Sequence, residues 1–290
     1  MSKTKKYLQD FAGNLASAMV KNGSKWDCIF KRGSMPINAS TNKRYKGINW
    51  LMLNYETKQN KYSQSVFASY KQWASLKAQV KKGSKGTPIV FYRPIMKPSK
   101  FDSTKEVNAG CILNYSKVFN IDQVDLSESK YTPSVFKTGK QYSINQIDTF
   151  VKATKVEIQH SNGNGCYYSP SKDFINMELK INFKDIKDTD ATVNYYSTLF
   201  HELTHSTGHE QRLNRKDKFD DHKKSYAYEE LIAEIGSIFF GYEFNIEKTI
   251  RDNHAVYLNT WIKSLNNDYT FLTGATAQAQ KAVDYFVSSK

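Results

Sequence analysis

Residues 201–210 read HELTHSTGHE, and they restrict the fold more than any other stretch. Two histidines four residues apart share one face of a helix, so this segment must be helical for both imidazoles to reach one point. Glu202 stands beside them. His201, Glu202 and His205 together form the HExxH pattern, in which two imidazoles hold a divalent ion and the carboxylate takes a proton from a water bound there. Zinc is the expected ion: it accepts nitrogen and oxygen ligands, needs no redox partner and polarises a peptide carbonyl. Histidines that merely pack or face solvent also occur at this spacing, so a third ligand is required.

EELIAE, residues 229–234, supplies it. Glu230 and Glu234 lie one turn apart on a second amphipathic pattern whose apolar side carries Leu231, Ile235 and Ile238. Carboxylates beside an apolar face need partners, because an unpaired buried charge is costly. Glu230 is therefore assigned to the metal, and Glu234 to the second ring nitrogen of a ligand histidine or to the outer shell of the site. His209 competes for the third position, but the extended HExxHxxGxxH pattern requires histidine at 211, where this chain has Gln211. Gly208 is expected to form the turn that ends the helix.

The net charge of +14 is unevenly spread. Residues 1–100 hold 20 Lys/Arg against Asp10, Asp27 and Glu56, whereas the other 190 residues hold 22 Lys/Arg against 25 Asp/Glu. A basic front part facing a polyanion and a nearly neutral back part follow from that split, with a merely solvated lysine surface as the bland alternative. Lys43, Arg44 and Lys46 surround Tyr45 and precede Trp50, while Lys71, Lys81, Lys82 and Lys85 flank Trp73 and two glycines. Basic groups interleaved with aromatics suit single-stranded nucleic acid, gripping its backbone and stacking on its bases. Tyr45, flanked by charges, is the expected stacking residue; Trp73 falls on an apolar stripe and is read as core, and Trp50 stands between the two readings. No base-reading motif is visible, so binding with little sequence preference is expected.

The pattern predicts an α+β chain of two domains: a basic α/β domain over residues 1–135 and a mostly helical domain with a small sheet over 145–290. The boundary is placed near 130–145, where apolar periodicity fails and Pro133 intervenes. Helices are expected over 7–20 and 69–80, in the segments around 144–155, 192–209 and 225–244, and around 257–265 and 277–287. Strands are expected after the glycine turn at 83–86, over 111–121, and in three short pieces before residue 185. Cys28, Cys111 and Cys166 are far apart and odd in number, which fits a reducing compartment better than a disulfide scaffold. The amino-terminal segment superficially resembles a signal peptide, but Asp10, Asn14 and Ser17 break its apolar run, and a cytoplasmic amphipathic helix is the expectation. No stretch approaches the roughly 18 apolar residues of a membrane span.

YYSTLFHELTHSTGHEQRLNR, YAYEELIAEIG and AQAQKAVDYF in the back half, with MPINASTNKRYKGINW, YKQWASLKAQVKKGSKGTPIVFYRP and VFNIDQ in front, resemble the ArdC-type antirestriction family. This family is plasmid- and phage-associated and joins a single-stranded-DNA-binding domain to a zincin-like metallopeptidase domain. The resemblance implies protection of incoming DNA from host restriction in a bacterial cytoplasm. It carries zinc onto His201, His205 and Glu230, general-base work onto Glu202 and a supporting role onto Glu234. Thr204 stands where the family often has alanine. Three functions compete: an antirestriction single-stranded-DNA-binding protein, a DNA-associated metalloprotease cleaving a host restriction or DNA-bound protein, and a nucleic-acid-binding scaffold with structural zinc. Glu202 disfavours the last, since a structural site needs no adjacent base.

Overall fold

The computed structural model of the protein describes residues 2–23, 35–98, 106–129, 131–132, 143–185, 190–246 and 255–288. Two compact α+β units emerge: one comprises Met1–Phe11 and Pro36–Pro133, the other Ala12–Met35 and Ser134–Lys290. Most of the expected boundary at 130–145 lies outside the described residues. The first helix, α1 (Lys3–Asn22), buries Leu8, Phe11, Ala12, Leu15, Ala16 and Met19 at the three- and four-residue spacing of one helical face. Its residues are shared between the units, so the basic front of the sequence does not belong wholly to the first. Residues 36–133 still carry 16 Lys/Arg against 6 Asp/Glu.

The first unit is built on a four-stranded sheet in the order β1-β2-β5-β4, formed by β1 (Ile37–Asn38), β2 (Val66–Ser69), β4 (Thr87–Pro98) and β5 (Glu106–Asn120). The β1–β2 pair is parallel and the other pairs antiparallel. The helix α2 (Gly47–Gln59) places Leu53 against Phe67 and Val118 in a buried cluster. Asn49 in its first turn donates to the carbonyl of Val90 at 2.7 Å and accepts from the Val90 amide at 2.8 Å, which pins the start of α2 to β4. The helix expected over 69–80 is corrected to α3 (Tyr70–Ser75), opened by a Ser69–Gln72 capping box and stopped where Lys77 takes a left-handed φ of 55°. Trp73 is buried from that helix, whereas Val80 is buried from β3 (Gln79–Val80), which pairs with β6 (Val124–Asp125). A shared interval of three or four residues thus spanned two kinds of element.

The second unit holds a three-stranded sheet, β7-β9-β8, from β7 (Glu157–Ser161), β8 (Tyr167–Ser169) and β9 (Phe174–Glu178), with β7 parallel and β8 antiparallel to β9. The helices that accompany it are α4 (Ile144–Ala153), α5 (Ala191–Ser206), α6 (His222–Phe244), α7 (Ala255–Asn267) and α8 (Tyr269–Val287). Asp190 caps α5 by accepting from Val193, and Asp221 caps α6 by accepting from Lys223 and Lys224. Left-handed Asn245 ends α6. Phe200 of α5 stacks on Phe240 and Phe244 of α6 at 5.2 and 5.4 Å, and Ser237 donates to the Ser197 carbonyl at 2.8 Å. Among the described residues no helix is long and apolar enough to cross a membrane.

Gly236 fixes how closely α5 and α6 approach. A Cβ there would stand 2.4 Å from Thr204 Cγ2 and 2.5 Å from Thr204 Oγ1, closer than atoms tolerate. Gly236→Ala therefore forces the helices apart and is expected to cost about 1–3 kcal/mol through overpacking. Urea unfolding checks this. Adding Thr204→Ala should recover part of the loss, and a double variant no more stable than Gly236→Ala alone would refute the contact.

Candidate metal centre

One face of α5 and one of α6 converge on a single point. His201 and His205 present Nε2 atoms 3.0 Å apart. Glu230 reaches between them, with Oε2 3.5 Å from His201 Nε2 and Oε1 3.5 Å from His205 Nε2. Ligand atoms held about 2.0–2.1 Å from a tetrahedral ion stand about 3.3 Å from one another, so the observed separations match a cage around one cation. These three side chains are the metal-ligating cluster found among the described residues. His201 is buried, as is Glu202, and both line an open cavity of about 1020 Å³ together with His205, Glu230, Tyr226 and Tyr257.

Each imidazole is held from behind. Glu234, with 0 % exposure, places Oε1 2.8 Å from His201 Nδ1. Glu229, which sequence reasoning did not single out, places Oε1 3.4 Å from His205 Nδ1. Arg215 in turn donates from Nε to Glu229 Oε2 at 3.1 Å and from Nη2 to the Thr204 carbonyl at 2.9 Å. Burial alone would raise the Glu229 carboxyl, but hydrogen bonds from His205 and Arg215 hold it below its ordinary value. Burial would likewise lower the His205 imidazole, and Glu229, Glu230 and Glu202 together raise it instead. Neither Glu229 nor Arg215 carried a clear sequence signal: one is the first of two adjacent glutamates, the other lies in an aperiodic loop.

Gly208 lies in the turn that ends the helix, as expected, its amide donating to the His205 carbonyl at 2.8 Å, but without a left-handed conformation. The helix ends at Ser206 with Thr207 as its cap. The missing side chain of Gly208 leaves room for Arg215, whose Nη2 would stand 3.1 Å from a Cβ there. His209 turns away from the triad toward Asp173, 3.7 Å from its Nδ1, where Arg212 and the Tyr168 hydroxyl also bind. At the cavity wall, burial first and the Glu230 charge second raise the phenols of Tyr226 and Tyr257, which keeps both protonated as donors.

In the first unit the expected nucleic-acid residues divide. Lys43, Arg44, Lys46, Lys71, Lys81, Lys82 and Lys85 are all exposed. Trp50 is 1 % exposed and offers no face to a base, which corrects its candidacy: α2 turns it inward, opposite the charges that precede it in sequence. Tyr45 is half-buried. Its hydroxyl accepts from Asn38 Nδ2 at 3.0 Å, its ring packs on the Leu53–Phe67–Val118 cluster, and burial pushes its phenol up to about 12. Sequence reasoning missed the exposed Phe91 and Tyr92 on β4, because they sit in an unbroken apolar run in which no alternation separates core from surface.

The family described as zincin-like metallopeptidase matches residues 145–278, and that of the N-terminal domain of anti-restriction factor ArdC matches residues 5–119. The crystal structure of the metal-free antirestriction ArdC protein from the R388 plasmid is 30 % identical, aligns over 99 % of this chain and 97 % of that one, and gives a TM-score of 0.77. The chain belongs to the ArdC antirestriction family. An Mn(II)-bound structure of the R388 protein superposes with a TM-score of 0.76 at 29 % identity, over 99 % and 98 % of the two chains. A DNA primase TraC of Escherichia coli is 31 % identical over 277 residues, 91 % of this chain, and this chain spans 18 % of its length.

The donor set of this ArdC family member suits a divalent cation chemically as well as geometrically. Glu202, Glu230 and Glu234 bring three carboxylates to the two imidazoles, while Arg215 is committed to Glu229. A dication offsets that excess of buried anions. His201→Ala and Glu230→Ala proteins are expected to lose most bound metal, and Glu202→Gln to retain it, by elemental analysis of folded protein. Glu229→Ala should weaken metal binding by about 10–100-fold in chelator competition, because His205 loses its orienting acceptor. Full occupancy in folded His201→Ala protein would remove the assignment.

Proposed function

We propose that this protein protects incoming DNA from restriction by binding it as single strands through the first unit, and that the second unit is a zinc site of the metallopeptidase kind. The carrying observation is the alignment with the R388 antirestriction protein across 99 % of this chain and 97 % of that one, which includes both units. The basic balance of residues 36–133 supplies the electrostatic basis for a nucleic-acid partner. Resemblance to part of a DNA primase accords with a module that works on DNA.

His201, His205 and Glu230 would hold the zinc, leaving a position open toward the cavity. Bound there, a zinc ion supplies Lewis acidity and a water of lowered pKa. Manganese, as in the R388 protein, is the competing ion for a set of two imidazoles and one carboxylate. Glu202 is the residue placed to accept a proton in that cavity, and Glu234 and Glu229 fix the imidazole orientations on which the ligand set depends. Tyr226 and Tyr257, protonated and at the cavity wall, can donate to an oxyanion. These features favour a second reading, in which the cavity cleaves a host restriction protein or another DNA-bound protein.

Shielding of DNA needs no chemical turnover, so protection is expected to survive Glu202→Gln. The measurement is transfer of unmodified DNA into restricting and nonrestricting hosts, with protein level, metal content and DNA binding followed for each variant. Loss of protection by a folded, metal-loaded, DNA-binding Glu202→Gln protein would favour the protease reading. Absence of protection by the unsubstituted protein against several restriction systems would end the antirestriction proposal for this chain.

A further inference from the structure

We infer that single-stranded DNA lies along one face of the β4–β5 ribbon, with Phe91 as its base-stacking platform and Arg93 as its phosphate contact. This rests on the proposal that the first unit binds single strands, and it replaces Tyr45 and Trp50 in that role. Successive strand residues alternate between faces, so Ile89, Phe91 and Arg93 share one face and Val90 and Tyr92 the other. Ile89 packs on the Leu53–Phe67–Val118 cluster under α2. One pleat further, Phe91 is 46 % exposed, and Arg93 beyond it is exposed as well. Asn114 pairs opposite Phe91, and Ile112, itself 49 % exposed, pairs opposite Arg93.

The charges around this face fit a polyanion. β4 carries Arg93 and Lys97 and no acidic residue. The Asn49–Val90 hydrogen bonds set the first turn of α2 against β4 one residue before Phe91, which brings the exposed basic segment Lys43, Arg44 and Lys46 to the same end of the ribbon. An aromatic ring between exposed cations binds a base by its face and the flanking phosphates by charge, without reading sequence. An apolar protein partner would not call for cations spaced along the strip. An exposed phenylalanine within a basic strand also costs hydration that a purely electrostatic surface would avoid.

Binding of a fluorescein-labelled oligothymidylate to the full-length chain across a salt series tests this. Phe91→Ala is expected to weaken binding about fivefold or more with an unchanged salt slope, while Phe91→Trp retains it. Arg93→Gln should weaken binding and reduce the slope of log affinity against log salt by about 0.7. Tyr92→Ala, on the opposite face, should bind within about twofold of the unsubstituted protein. Photocrosslinking of a bromodeoxyuridine oligonucleotide to the unsubstituted chain should label a peptide containing Phe91, which needs no variant to fold. If the unsubstituted chain binds single strands but Phe91→Ala and Arg93→Gln bind equally well, the ribbon assignment is overturned while the DNA-binding proposal stands. Loss of a dimer by Phe91→Ala in sedimentation, with DNA affinity intact, overturns it in favour of self-association. No binding by the unsubstituted chain at low salt overturns the single-strand proposal itself.

Discussion

A carboxylate without solvent access governs the second unit. Glu234 is 0 % exposed and lies 2.8 Å from Nδ1 of His201. An unpartnered charge in that position is costly enough to unfold a marginal domain, so α5 and α6 are committed to the register that keeps the pair together. Gly236 permits the approach, since it faces Thr204 where no larger residue fits. Phe200 stacked on Phe240 and Phe244 supplies the apolar contact that holds it. Once the pair is formed, the helical turn from Glu234 back to Glu230 and the turn from His201 on to His205 leave three donors facing one another. The ligand cage is thus a geometric consequence of a buried histidine–carboxylate contact and a close helix crossing.

What was legible in the sequence follows the same division between local and long-range causes. HELTH and EELIAE announce themselves because helical spacing alone puts their donors on one face, and the two patterns needed only to meet. The Glu229–Arg215 support was illegible because its members come from a helix and from a loop that no periodicity describes. In the first unit, Trp50 misled for a related reason. Charged neighbours along a chain do not expose an aromatic when the backbone turns it inward, and α2 places Trp50 in the core while Tyr45 is anchored by Asn38. Phe91 lay in an apolar run, IVFYRP, which reads as a buried strand until the ribbon is seen to extend past the helix that covers its beginning.

The two units use charge differently. In the first, a modest sheet is stabilised by Trp73, whose indole donates to the Phe119 carbonyl at 3.0 Å, and by a capped short helix that orients it. Its lysines remain outside and are available for long-range attraction that weakens with salt. In the second, charge is drawn inside, where Arg215 pairs with Glu229 and the imidazoles contact Glu230 and Glu234, leaving an excess of carboxylates that a dication would offset. Electrostatics is therefore suited to association in one unit and to architecture in the other, in keeping with the 16 Lys/Arg against 6 Asp/Glu of residues 36–133.

That contrast bears on whether the metal centre implies hydrolysis. A cation that binds the folded cage and not the unfolded chain stabilises the fold by mass action, and it would do so with or without turnover. The ligands His201, His205 and Glu230, with Glu234 and Glu229 behind them, are all explained by that structural linkage. Glu202 is not: it is outside the metal-ligating cluster, and it is a carboxylate with 4 % exposure on the wall of an open cavity. Stability would favour an apolar residue or an amide at such a position, since burying a carboxylate beside other anions raises the free energy of the fold. The chemistry that would make an anion useful there is proton acceptance, with a divalent ion held by His201, His205 and Glu230 supplying a water of lowered pKa. Glu202 is therefore the residue that bears on the proposed hydrolysis, whereas the proposed DNA surface lies in the other unit, so single substitutions can test the two proposals separately.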